Sequence, residues 1–231
     1  MNTLHTFGCS YTEDFENVFS DGPQRKYVND YLDGVMPPTW SKVLANLLGY
    51  KIVNTAKGGT GNETIFENVC KLSPNFKKGD MVIIQWTENH RFRWPNHEGY
   101  WVNQLPNWGI DIPTLSEMTR DEIFYIRDHP LYRKELYNYH ILLEQFALSR
   151  GFDIYFWSMG ENIVTELPRD KKYLLSDKLD SNYPKYFAKM NAQTITLETN
   201  GVIFDGHYSK IGHEVIGNLF YEHIITPRPI I

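Results

Sequence analysis

Met81-Val82-Ile83-Ile84 is an unbroken apolar run, preceded by Lys77-Lys78-Gly79-Asp80 and followed by polar chain from Thr87. A strand with one wet face would alternate polar and apolar residues; a continuous run of this length suits a strand buried on both faces. Outward from it, the chain alternates. Thr3-Leu4-His5-Thr6-Phe7 predicts a strand that ends at Gly8. Trp40, Val43, Leu44, Leu47 and Leu48 have helical spacing, with Gly49 placed to stop the helix. Lys51-Ile52-Val53 predicts a strand, and Ile65, Val69 and Leu72 mark one helix face. Leu136, Tyr139, Leu143 and Phe146 predict a long helix stopping near Gly151. Asp153-Ile154-Tyr155-Phe156-Trp157 predicts a fourth strand and Val202-Ile203-Phe204 a fifth. A last helix carries Ile211, Val215, Ile216, Leu219 and Phe220, with Ser209 as its N-cap. Strands alternating with helices predict an α/β protein of three layers, α/β/α, around a five-stranded parallel sheet.

The composition fits one domain over residues 1–231. Hydrophobic residues are 42% and charged residues 22%, enough to bury a core without metal or disulfide staples. The net charge of -5 argues against nucleic acid as a partner. Two cysteines, Cys9 and Cys70, make no disulfide framework. Residues Met1 to His5 lack signal-peptide character, and no apolar run is long enough to span a bilayer. A cytoplasmic location without membrane contact is expected, with association to a virus particle as the alternative. Two insertions, at about 90–130 and about 160–194, leave strand ends and are long enough to suggest function.

Ligands of open parallel sheets bind beyond the carboxyl ends of the strands. The residues there are Gly8-Cys9-Ser10-Tyr11-Thr12, Asn54 to Asn62, Thr87-Glu88-Asn89-His90-Arg91, Ser158 to Asn162, and Asp205-Gly206-His207-Tyr208-Ser209. A hydroxyl, a glycine turn, amide side chains and an Asp/His pair thus converge on one edge. A serine hydroxyl needs a base to take its proton, and His207 suits that role near neutral pH. Asp205 would hold the imidazole tautomer. The Ser10 and Gly59 amides, with an amide side chain, would supply donors to an oxyanion. Cys9 is the rival nucleophile. Neighbours in extended chain point opposite ways, so only one of Cys9 and Ser10 can face His207.

These residues resemble the SGNH (GDSL-like) hydrolase superfamily. Phe7-Gly8-Cys9-Ser10-Tyr11-Thr12 resembles its nucleophile block. Asn54, Ala56 and Gly59 have the spacing of its second block, and Asp205-Gly206-His207 to His213 that of its last. The resemblance implies a flavodoxin-like sheet, Ser10 as nucleophile in preference to Cys9, and a catalytic set of Ser10, Asp205 and His207. It implies an oxyanion hole of Ser10, Gly59 and Asn89, and no cofactor. Two features depart from the family pattern. One residue, Gly206, separates Asp205 from His207 where two are usual, a shortening of the kind found in phage-encoded members. The third block, normally Gly-x-Asn-Asp, here falls on Trp86-Thr87-Glu88-Asn89, with the carboxylate of Glu88 where a donor belongs. Asn89 is the preferred substitute and Thr87 the alternative.

Other features have plain explanations. Asp205, His207 and His213 would be a thin metal set with no supporting cluster, so no metal is expected. His213 reads as an anchor for the last helix. Gly58, Gly59 and Gly61 lack the order of a phosphate cradle. Four of the six tryptophans, Trp86, Trp94, Trp101 and Trp108, crowd one stretch. The stretch Trp94 to Trp108 either covers apolar sheet edge or is a substrate platform, with Trp94, Trp101 and Arg91 binding substrate. The functional expectation is an esterase acting through an acyl-enzyme on a small or carbohydrate acyl ester, acetyl included. The alternative is a non-catalytic glycan-binding or virion-associated protein on a decayed hydrolase fold. A nucleotide-binding or phosphoryl-transfer protein is a distant third.

Overall fold

The computed structural model describes residues 1–17, 23–87, 91–95, 101–104, 130–158 and 210–225. Four strands form one sheet: β1 (Thr3–Phe7), β2 (Lys51–Asn54), β3 (Met81–Trp86) and β6 (Asp153–Ser158). Their order is β2-β1-β3-β6, and every neighbouring pair is parallel. The fifth strand expected at Val202–Phe204 lies outside the described residues, so the sheet described has four strands rather than five. A separate antiparallel pair, β4 (Phe92–Pro95) and β5 (Trp101–Gln104), occupies the first insertion.

The helices are α1 (Pro23–Tyr31), α2 (Trp40–Leu48), α3 (Asn62–Leu72), α4 (Pro130–Arg150) and α5 (Lys210–Ile225). Side chains alternate along each strand and so feed two cores. Leu4, Met81, Ile83 and Trp157 pack with Trp40, Leu44 and Ala45 of α2 and Ile216 and Phe220 of α5. Phe7, Val82, Ile84, Ile154 and Phe156 pack with Ile65 and Val69 of α3 and Leu136, Leu143 and Ala147 of α4. Both faces of the sheet are therefore covered, which is why all six residues of β3 are buried. Each buried large apolar side chain contributes roughly 1.5–3 kcal/mol. A smaller cluster, Phe15 and Val28, joins α1 to the domain.

Local chemistry sets the ends. Gly49 closes α2 in the left-handed region at φ 68°, and the N–H groups of Gly49 and Tyr50 reach back to Asn46 and Ala45. α3 is preceded by Gly61 at its N-cap, where a Cβ would sit 2.5 Å from the Arg91 carbonyl oxygen. Only glycine admits that close approach.

Candidate active site

β1 and β3 are neighbours, while the chain leaves β1 for β2 on one side and β3 for β6 on the other. Their carboxyl ends thus flank the switch point at which open α/β sheets bind ligands. Ser10 sits there. The Thr12 and Glu13 N–H groups both donate to the Cys9 carbonyl, at 2.9 and 3.1 Å, which makes a tight turn with Ser10 and Tyr11 at its head. Gln85 of β3 holds the turn from below: its Oε1 accepts from Cys9 N at 3.2 Å and from the Thr12 hydroxyl at 2.6 Å. Cys9 is 1% exposed, so the thiol faces the interior and is no candidate for attack on a substrate, while Ser10 is half-buried.

The chain after β2 lies against this turn. Asn54 donates through Nδ2 to the Thr12 carbonyl at 2.6 Å and accepts from Ala56 N at 3.0 Å. Lys57 N and the Thr60 hydroxyl both donate to the Gly8 carbonyl. Gly59 is at φ 76°, a conformation that side chains resist. Gly58 N donates to Glu13 Oε2 at 2.7 Å. A Cβ on Gly58 would lie 3.5 Å from the Ser10 Cβ, so this loop is packed directly on the serine.

Many amides of the two segments are satisfied. Those of Cys9, Thr12, Glu13, Lys57, Gly58 and Thr60 all donate within the fold. Those of Ser10 and Gly59 have no acceptor among the described residues. Backbone donors are satisfied almost everywhere in native proteins. Ser10 and Gly59 are exceptions among the described residues, one at the serine itself and one beside Gly58, which packs on it.

The remaining predicted residues divide between described and undescribed chain. Asp205, His207 and Asn89 lie outside the described residues, as do the Glu88 side chain and Trp108. α5 starts at Lys210, shortly after His207 in sequence. Its His213 accepts the Trp40 N–H at Nδ1, 3.2 Å away, and its ring meets Phe15 edge-on, as an anchor for the helix would. The Trp40 indole N–H in turn donates to the Tyr11 carbonyl, beside Ser10. Thr87, the alternative third-block donor, is buried, and both its N–H and its carbonyl are held by the Asn62 side chain at 2.8 and 2.9 Å. Asn62 thereby fixes Thr87 at the end of β3. Arg91 stands against the start of α3 through its backbone carbonyl. Trp94 pairs with Val102 and Trp101 with Pro95, so the two tryptophans are not cross-strand partners.

Sequence reasoning missed Gln85, Glu13 and Asn62. Each is a polar side chain whose partner is distant in sequence, and no local pattern announces such a partner. Among the described residues no three His, Cys, Asp or Glu side chains gather as a metal site requires. No described helix is long and apolar enough to cross a membrane. The clearest proton-affinity shifts lie away from Ser10: burial lowers His140 to about 4 and lowers His5 against the opposing pull of Asp80.

The parallel sheet, the helices on both its faces and the serine turn at its switch point define an open-sheet α/β protein. Solved structures similar to it are GDSL-like lipolytic proteins, acylhydrolases and carbohydrate esterases. A lipolytic protein of the G-D-S-L family from Desulfitobacterium hafniense DCB-2 is 12% identical, with 96% of this chain and 99% of that one covered and a TM-score of 0.43. A carbohydrate esterase whose active site displays divergent catalytic and non-catalytic binding functions is 12% identical, with 99% and 70% covered and a TM-score of 0.46. An acylhydrolase from Bacteroides fragilis NCTC 9343 is 13% identical, with 96% and 86% covered and a TM-score of 0.37. No family model and no curated protein matches the chain. At these values the likenesses carry no functional weight.

Proposed function

We propose that the chain is a serine hydrolase that cleaves carboxylic esters through an acyl-enzyme on Ser10. The observation that carries this is the pair of amides, Ser10 N–H and Gly59 N–H, that have no acceptor among the described residues, with the loop at Gly58 packed on Ser10. His207 takes the Ser10 proton as Oγ attacks the ester carbonyl, and Asp205 orients the imidazole. The carbonyl oxygen becomes an oxyanion received by the two amides and by the Asn89 side chain. Each such donor contributes roughly 10²–10³ in rate. The tetrahedral intermediate collapses, and His207 returns the proton to the departing alcohol. Water then attacks the acyl-Ser10 ester, with His207 again as base, releasing the carboxylic acid.

The preferred substrate is an O-acyl group, acetyl included, on a carbohydrate. The first insertion carries Trp94 and Trp101, whose indoles suit sugar rings, and Arg91, at its start, suits an anionic group. Hydrolysis of 4-nitrophenyl acetate by the purified chain tests the reaction. The wild type should turn it over, and Ser10→Ala, with an unchanged melting temperature, should lose at least about 10³-fold. Equal rates in the two would overturn Ser10 as the nucleophile, and no turnover by either alongside saturable glycan binding would replace the hydrolase with a binding protein on the same fold.

A further inference from the structure

We infer that Glu13 is a positioning residue for the oxyanion site, setting the separation of its two amide donors; this rests on the hydrolase function proposed above. Glu13 belongs to the serine turn, because its own N–H closes that turn on the Cys9 carbonyl. Its Oε2 accepts the N–H of Gly58, the residue before Gly59, at 2.7 Å across 45 positions of sequence. One end of this link therefore lies in the turn that carries Ser10 and the other one residue before Gly59.

The other ties do different work. Lys57 N and the Thr60 hydroxyl fasten the loop to the Gly8 carbonyl, which is the end of the strand and not the turn. Asn54 reaches the turn at the Thr12 carbonyl, but from the end of β2, ahead of the loop. Between Lys57 and Thr60 the chain is Gly58-Gly59, permissive in its own stereochemistry and held in a turn by the Thr60 N–H and hydroxyl on the Lys57 carbonyl, at 3.3 and 2.8 Å. Among the described residues, the Glu13 bond is the one that ties that dipeptide to the serine turn. A carboxylate makes it a charge-assisted bond, shorter and stronger than a neutral one. The charge also has a cost, since a carboxylate close to the site opposes a developing oxyanion. The chain bears that cost because reach matters more than charge: a side chain of Glu length, starting from this turn, meets Gly58 N.

Two conservative variants separate reach from charge. Glu13→Gln keeps the length and an acceptor oxygen but loses the charge. Glu13→Asp keeps the charge but withdraws the oxygen by one methylene. With 4-nitrophenyl acetate, Glu13→Asp should lose about 10–100-fold in kcat with KM within about twofold, because the transition state alone uses the donors. Glu13→Gln should stay within about threefold of wild type. Amide exchange by NMR should show the Gly58 N–H protected in wild type and Glu13→Gln, and fast in Glu13→Asp. Full activity in Glu13→Asp, or equal losses in both variants, would overturn the positioning role while leaving the hydrolase intact. A Gly58 amide that exchanges freely in wild type would remove the anchor itself. A wild type with a protected Gly58 amide but no turnover would instead overturn the hydrolase, and any catalytic role for Glu13 with it.

Discussion

The Gln85 amide oxygen accepts the Thr12 hydroxyl at 2.6 Å, so β3 rather than β1 supports the turn that presents Ser10. The same oxygen accepts Cys9 N, and all three residues are buried. A strand side chain thus takes over where the β1–β3 ladder ends, and carries its geometry one step further into the site.

Gln85→Leu would keep the volume and strand Cys9 N–H and the Thr12 hydroxyl in the core. Each buried donor left unsatisfied costs about 1–3 kcal/mol. The urea midpoint should fall by the equivalent of about 2–4 kcal/mol with little change in m. Ester hydrolysis, assayed where the variant is still folded, should fall as well. A variant with wild-type stability would show that the turn stands without β3.

Gly59→Ala would place a Cβ on a residue at φ 76°. Non-glycine residues in that region are strained by about 1 kcal/mol or more. If the loop keeps its shape, stability drops by about that amount; if it relaxes, the Gly59 N–H leaves its position and kcat falls by about 10²-fold. Unchanged stability together with unchanged kcat would exclude this amide from the site.

His213→Leu would orphan the buried Trp40 N–H at the start of α2 and loosen α5 from α2. A loss of about 1–3 kcal/mol is expected. His213→Asn should recover much of it, because its Oδ1 lies near the place of Nδ1, whereas His213→Gln, reaching as Nε2 does, should not. Denaturation curves of the three variants decide the matter.

His140 is buried against Phe156, with ring centroids 3.8 Å apart, and burial lowers its pKa from 6.5 to about 4. The folded state therefore favours neutral imidazole. The stability this provides is complete above pH 6.5, where the unfolded chain is also neutral, and is lost as pH falls from 6.5 toward 4. The loss at pH 4 is about 3 kcal/mol from His140, and His5, also lowered by burial, acts in the same direction. His140→Leu should reduce the slope of stability against pH between about 4.5 and 6 by nearly one proton. An unaltered slope would show that His140 does not titrate with folding.

Much of the sheet was legible because the apolar runs and their spacing follow directly from burial. Met81–Ile84 extends in the structure to Trp86, Trp40–Leu48 forms the helix its periodicity predicts, and Lys51–Val53 gains only Asn54. α1 gave no such signal: Pro23–Tyr31 is polar nearly throughout, and Val28 supplies its buried contact. β4 and β5 were hidden for a related reason, since Phe92-Arg93-Trp94-Pro95 ends on a residue that cannot donate to a ladder. Ser10 and Gly59 were legible as residues shortly after the ends of β1 and β2. Glu13, Gln85 and Asn62 could not, because an acid in a loop, an amide in a strand and an amide opening a helix are each commonplace until the fold supplies a partner.

Fluorophosphonate labelling of the folded chain, with the modified residue located by peptide mass spectrometry, tests the central claim most directly. One adduct on Ser10, absent from Ser10→Ala and strongly slowed in His207→Ala, is the predicted result. A folded chain that takes up no label, or takes it up at another residue with Ser10 untouched, would contradict it.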